Sequence, residues 1–119
     1  MTTGFASPAD DYLESRLSLD ALLIQNKEST FFVRAEGASM IGAGIFDGDL
    51  LVVDRSLIPA SGNVVIAVVD GELTVRRFIH NDGNAILKPE NPCYKEIRFK
   101  DEPELQVWGI VTATIKKLV

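Results

Sequence analysis

Apolar positions along this chain follow two rhythms, helical near the start and strand-like from about residue 30 onward. A helix is expected to begin at Ser18, with Asp20 in its first turn and Leu19, Leu22 and Leu23 making one apolar face. That helix is expected to end near Gln25 or Asn26, and the polar run NKEST separates it from the strand-like region. Before it, residues 1–17 read as a flexible arm, with Ala9 to Arg16 able to form one or two helical turns.

From Phe31 on, short apolar runs alternate with turn residues. FFVRAEG and LLVVDR read as strands around the turn FDGD, and Ile58 to Gly62 is a turn leading to the buried-looking strand NVVIAVV. Asp70-Gly71 is a strong hairpin signal, because both residues tolerate positive φ, and ELTVRRFI is its partner strand. HNDGN turns into AILKPEN, IRFK is a short exposed strand, and LQVWGIVTATIKKL closes the chain. The pattern predicts a mainly β fold, a single small domain over residues 18–119 built on a strongly bent antiparallel sheet with one short N-terminal helix. On the closing strand, Leu105, Val107, Trp108, Ile110 and Val111 are candidates for a dimer surface, with alternate residues equally suited to the core.

Composition narrows the function classes. A chain of 119 residues with 46% hydrophobic content can bury a core without disulfides or a metal. No apolar run approaches the ~20 residues that span a bilayer, and MTTGFASPADDY has neither a basic start nor an apolar stretch. We therefore expect no membrane association and a cytoplasmic location, which the single cysteine, Cys93, also fits. A net charge of -5 argues against direct, sequence-specific nucleic-acid binding, which needs clustered Lys and Arg. His80 and Cys93 stand alone in their classes, so no metal and no cofactor is expected. His80 reads as a surface residue of the HNDGN turn, and Cys93 as a small, semi-buried one.

The chemistry concentrates in EGASMIGAGIFDGDLLVVDR, residues 36–55. Ser39 lies between Ala38 and Met40 among Gly37, Gly42 and Gly44, whose backbone freedom other residues lack. It is either a serine in a tight turn or a nucleophile displayed near a strand end. A serine hydroxyl needs a base to take its proton. With His80 in a surface turn, the remaining arrangement is Ser–Lys, in which burial leaves the amine neutral. The hairpin strand GELTVRRF is where such a base would sit.

The ordered set EGASM, GAGIFDGDLLVVDR, NVVIAVVDGELTVRRF and ILKPENPCY resembles the LexA/UmuD family of self-cleaving serine proteins, over essentially the whole chain from Gly4. The segment GFASPADDYLESRLSLDALLIQ is closer to the UmuD branch than to LexA. The resemblance places Ser39 at the nucleophile position. The family's general-base lysine, in a T-V-K sequence, corresponds to Arg76 in Thr74-Val75-Arg76. A buried lysine starts at ~10.4 and can fall 3–5 units, whereas arginine starts near 12.5 and stays protonated. Deprotonating it at pH 7 would cost at least about 7 kcal/mol. Lys88, Lys95 and Lys100 sit in turns or polar segments, and Arg77 alternates with Arg76 across the sheet, so no replacement base is expected.

The family's self-cleavage bond corresponds to Thr3–Gly4, with threonine where a smaller or softer residue is usual and only three residues before the cut. The chain thus resembles the processed or near-processed form. LexA-type repressors carry a helix-turn-helix domain ahead of this region, and no repressor function is expected here. The resemblance implies a subunit of the SOS DNA-damage response: a homodimer supporting error-prone translesion synthesis with a Y-family polymerase and a RecA filament, catalytically impaired by Arg76. The alternative is an active serine self-protease cutting near Thr3–Gly4 under RecA stimulation.

Overall fold

The computed structural model describes residues 18–99 and 105–119, so the arm, the Thr3–Gly4 bond and Lys100 lie outside the described residues. The sequence motifs pair up into one seven-stranded antiparallel sheet. Its strands are β1 (Thr30–Arg34), β2 (Leu50–Asp54), β3 (Val64–Val69), β4 (Glu72–Asn81), β5 (Asn84–Lys88), β6 (Ile97–Phe99) and β7 (Gln106–Ile115). They lie in the order β1-β2-β7-β3-β4-β5-β6. The two-residue turns do what their sequences dictate. Asp70 and Gly71 (φ 51° and 81°) join β3 to β4, and Asp82 and Gly83 (φ 49° and 80°) join β4 to β5.

Period-two alternation divides the apolar residues between two clusters. Leu51, Val53, Ile66, Met40 and Ile45 form one. Val65, Ala67, Phe78, Leu87 and Ile110 form the other. The closing strand β7 runs between β2 and β3 and serves both. Its register slips twice: Thr112 is the extra residue where Val52 and Val53 face Ala113 and Val111, and Trp108 where Ile66 and Ala67 face Gly109 and Val107. Bulges of this kind bend a strand and raise its twist, which bends the sheet as the sequence pattern requires. At Gly109 the two strands meet so closely that a Cβ would stand 2.5 Å from Val53 Cγ1.

Several expectations change. The helix α1 covers only Leu19–Leu23, capped by the Ser18 hydroxyl accepting from the Ala21 N–H. Leu19 and Leu22 are each 64% exposed, so among the described residues that part of the apolar face is largely uncovered. The chain leaves the helix at Ile24 because the next polar residues serve a carboxylate instead. Asp54, at the end of β2, accepts from the Ser29 and Ser56 hydroxyls and the Ser56 N–H on Oδ1, and from Asn26 Nδ2 on Oδ2. His80 belongs to β4, paired with Ala85, because the DG turn needs only two residues. Lys88 ends β5 opposite Arg77 and does not sit in the turn. Cys93 is exposed, since the turn after β5 carries it outside both clusters. Of the residues read as dimer surface or core, Ile110 is buried in the second cluster, Leu105 and Val107 pack against that cluster, and Trp108 and Val111 pack against the first.

These hydrogen bonds hold the Asp54 carboxyl well below its ordinary value of 3.8, with the Ser56 hydroxyl first and Asn26 next. A carboxylate with a depressed folded pKa contributes stability that is complete above its unfolded pKa and lost as pH falls toward the folded one. Asp54→Asn should therefore lower the unfolding midpoint at pH 7. The gap from the parent chain should narrow steadily as pH drops below about 4. A gap that stays constant between about pH 7 and about pH 2.5 would show that the charge of Asp54 does not stabilise the fold.

Candidate functional site

The serine loop joins β1 to β2 and is pinned from several directions. Gly37 takes φ 82°, and its N–H donates to Asp47 Oδ1 at 2.7 Å. Met40, 2% exposed, buries its side chain in the first cluster and anchors the residue after Ser39. A short 3-10 turn, Ile41–Ala43, comes next and ends on Gly44 at φ 82°. Gly37 and Gly44 thus use glycine's conformational freedom, but Gly42 does not. It is needed for proximity, because a Cβ there would lie 2.7 Å from the Glu90 carbonyl oxygen.

The KPEN segment holds this loop from behind. The Glu90 N–H donates to the Ser39 carbonyl at 2.8 Å, and the Gly42 N–H donates to the Glu90 carbonyl at 2.8 Å. Asn91 Nδ2 donates to the Ala38 carbonyl at 2.7 Å. Arg77 in turn fixes Glu90 through Nε to Oε1 at 3.0 Å, and its NH1 donates to the Gly62 carbonyl. Glu90, Asn91 and Arg77 are positioning residues that sequence reasoning missed. The signal was present in KPEN, which served only as part of a resemblance.

Ser39 is buried at 9% exposure. Across from it, β4 delivers Arg76, whose NH1 donates both to Ser39 Oγ and to the Val75 carbonyl, each at 2.7 Å. The two residues read together from the sequence therefore touch. The direction of the contact decides its chemistry: the guanidinium gives a hydrogen bond to the hydroxyl oxygen and cannot take the hydroxyl proton. Burial pulls the Arg76 pKa below its ordinary value, opposed by Tyr94, whose ring centroid lies 5.8 Å from the guanidinium carbon. Arg76 Nε is buried and has no hydrogen-bond partner among the described residues. The pair opens into a cleft of about 420 Å³ lined also by Gly37, Ala38, Leu73 and Tyr94.

The other candidates lie elsewhere. His80 and Lys88 are exposed on β4 and β5, and Arg77 is committed to Glu90. Lys116 reaches Asp49 at 2.6 Å, with its ammonium over the Phe46 ring, and helps hold the Asp49 carboxyl below its ordinary range. Among the described residues no group of three or more His, Cys, Asp or Glu side chains could hold a metal ion. Among them, too, no helix is long and apolar enough to cross a membrane.

Comparison with known proteins agrees with the motifs. The family model described as Peptidase S24-like matches residues 1–112. Protein SamA of Salmonella typhimurium is 47% identical over 114 residues, 96% of this chain and 79% of that protein. Protein MucA of Escherichia coli is 34% identical over 116 residues, 97% of this chain and 79% of its own length. The LexA repressor of Caldicellulosiruptor saccharolyticus is also 34% identical, over 118 residues, 99% of this chain but 56% of the repressor.

Proposed function

The chain belongs to the Peptidase S24-like family, the LexA/UmuD group that its motifs resemble, and we propose that it serves there as a UmuD-type subunit of the SOS response rather than as a working protease. In this reading Ser39 holds the nucleophile position, and Arg76 holds the place of the general-base lysine. The observation that carries it is the 2.7 Å hydrogen bond from Arg76 NH1 to Ser39 Oγ. The family pair needs a neutral amine that accepts the serine proton. Here a permanent cation occupies that position as a donor.

A subunit that does not cut itself acts through its surfaces. We assign it a homodimeric state, with a Y-family polymerase and a RecA filament as partners in error-prone translesion synthesis, in the cytoplasm. Those partners would make the DNA contacts, which suits a net charge of -5. The Thr3–Gly4 bond is the corresponding cleavage position, with residues 1–17 as an arm attached to the sheet domain.

The test is damage-induced mutagenesis in a bacterium that lacks its own UmuD-type protein but keeps the polymerase. The chain should restore mutagenesis, and Ser39→Ala should restore it equally, because no step requires the hydroxyl as nucleophile. Loss of restoration with Ser39→Ala, at unchanged protein level, would favour an active self-protease. Failure of both chains to restore it would refute the assignment to this response.

A further inference from the structure

The Ser39–Arg76 pair has the polarity of an anion receptor. A serine hydroxyl has one proton to donate and two lone pairs to accept with. Arg76 NH1 occupies a lone pair of Ser39 Oγ. The hydroxyl proton is then available to point elsewhere, and among the described residues it is donated to no acceptor. On the Arg76 side, only NH1 has acceptors, Ser39 Oγ and the Val75 carbonyl. Nε is buried without a partner, and among the described residues no carboxylate pairs with the guanidinium. By contrast, Arg77 and Arg98 each have a carboxylate, Glu90 and Glu96. A partly buried cation without a counter-charge is costly, and an incoming anion offsets that cost.

We propose that the cleft at Ser39 and Arg76 binds the free C-terminal carboxylate of a peptide. The guanidinium supplies the charge and the Ser39 hydroxyl a second hydrogen bond. The inference rests on the non-catalytic reading of this pair. The cleft of about 420 Å³ is lined by both Ser39 and Arg76, so a single ligand group in it faces both. The lining selects among anions. Val33, Leu73 and Val75 offer apolar contact for a terminal side chain, while Glu36 and Glu72 on the same lining disfavour a multiply charged ligand such as a phosphate ester. With both NH1 protons committed and Nε enclosed, Arg76 NH2 is the guanidinium group open to one carboxylate oxygen, and the Ser39 hydroxyl donates to the other.

The test is calorimetric titration of the full chain at pH 7 with acetyl-Ala-Ala-Val bearing a free carboxylate, and with the same peptide as its C-terminal amide. The carboxylate form should bind at least tenfold more tightly. Arg76→Gln should abolish that preference while the circular dichroism spectrum stays unchanged. Ser39→Ala, a small change that keeps Arg76, should weaken the carboxylate form several-fold and stands as the decisive variant if Arg76→Gln does not fold. Equal binding of the two peptides, binding of neither at millimolar concentration, or a preference surviving both substitutions would overturn the proposal. Mass spectrometry of the recovered peptides separates this inference from its premise. Peptides that are intact but not discriminated remove only the receptor, whereas cleaved peptides would show that Ser39 is an active nucleophile.

Discussion

Replacing Arg76 by lysine should return self-cleavage to a chain extended at its N-terminus. With Arg76 present, the extended chain should stay intact for hours at neutral pH with RecA, ATP and single-stranded DNA. The loop that presents Ser39 is already fixed by Met40, Glu90 and Asn91, so the substitution changes the partner and leaves the nucleophile in place. Arg76 is partly buried, and burial disfavours a charge. A lysine there would feel the same pressure, and lysine, unlike arginine, can lose its proton under it. General-base assistance contributes about 10²–10⁴-fold, or roughly 3–5 kcal/mol of barrier. Ser39→Ala should abolish whatever cleavage returns. If Arg76→Lys stays inert even after Thr3 is changed to Cys or Ala, the pairing of Ser39 with position 76 loses its chemical meaning.

The second large effect is expected at Gly42. Its Cβ position is 2.7 Å from the Glu90 carbonyl oxygen, a backbone atom that itself accepts the Gly42 N–H. Gly42→Ala must push the serine loop away from the KPEN segment. That strains the bonds that Glu90 and Asn91 make to the Ser39 and Ala38 carbonyls. Forced displacement of packed groups costs about 1–3 kcal/mol, so the unfolding midpoint should fall by several degrees. In the Arg76→Lys background, Gly42→Ala should also slow cleavage, because the nucleophile moves with its loop. A thermal midpoint and cleavage rate both unchanged would show that the loop does not depend on the KPEN contact.

The β architecture was legible because its signals are local. The DG turns and the two-residue alternation of NVVIAVV and ELTVRRF set register without reference to distant residues. The opposition of Ser39 and Arg76 was legible from the motif set. What escaped reading depends on side chains far apart in sequence. Asn26 and Ser29 serve Asp54, 28 and 25 residues away, which ends the helical segment earlier than its leucines suggest. Asn91 reaches back 53 residues to Ala38, and no periodicity announces such a contact. Gly42 carried a correct signal with a different cause, since it is required by the approach of Glu90 and not by its dihedral angle. Ile110 illustrates the ambiguity of a mostly apolar strand: dimer surface and core suited its sequence equally, and in the structure it is buried in the second cluster.

The most direct test of the central claim is the reactivity of Ser39 itself. The chain, with Arg76 in place, would be exposed to a fluorophosphonate at pH 7 and followed by intact-mass spectrometry, alongside Arg76→Lys and Ser39→Ala. A hydroxyl that accepts from a permanent cation has no base to take its proton. The chain with Arg76 should therefore stay unmodified, as Ser39→Ala does, while Arg76→Lys acquires one phosphonyl group on Ser39. Stoichiometric modification of Ser39 with Arg76 intact would contradict the account, because it would show an activated nucleophile where the structure places a hydroxyl held by a hydrogen-bond donor.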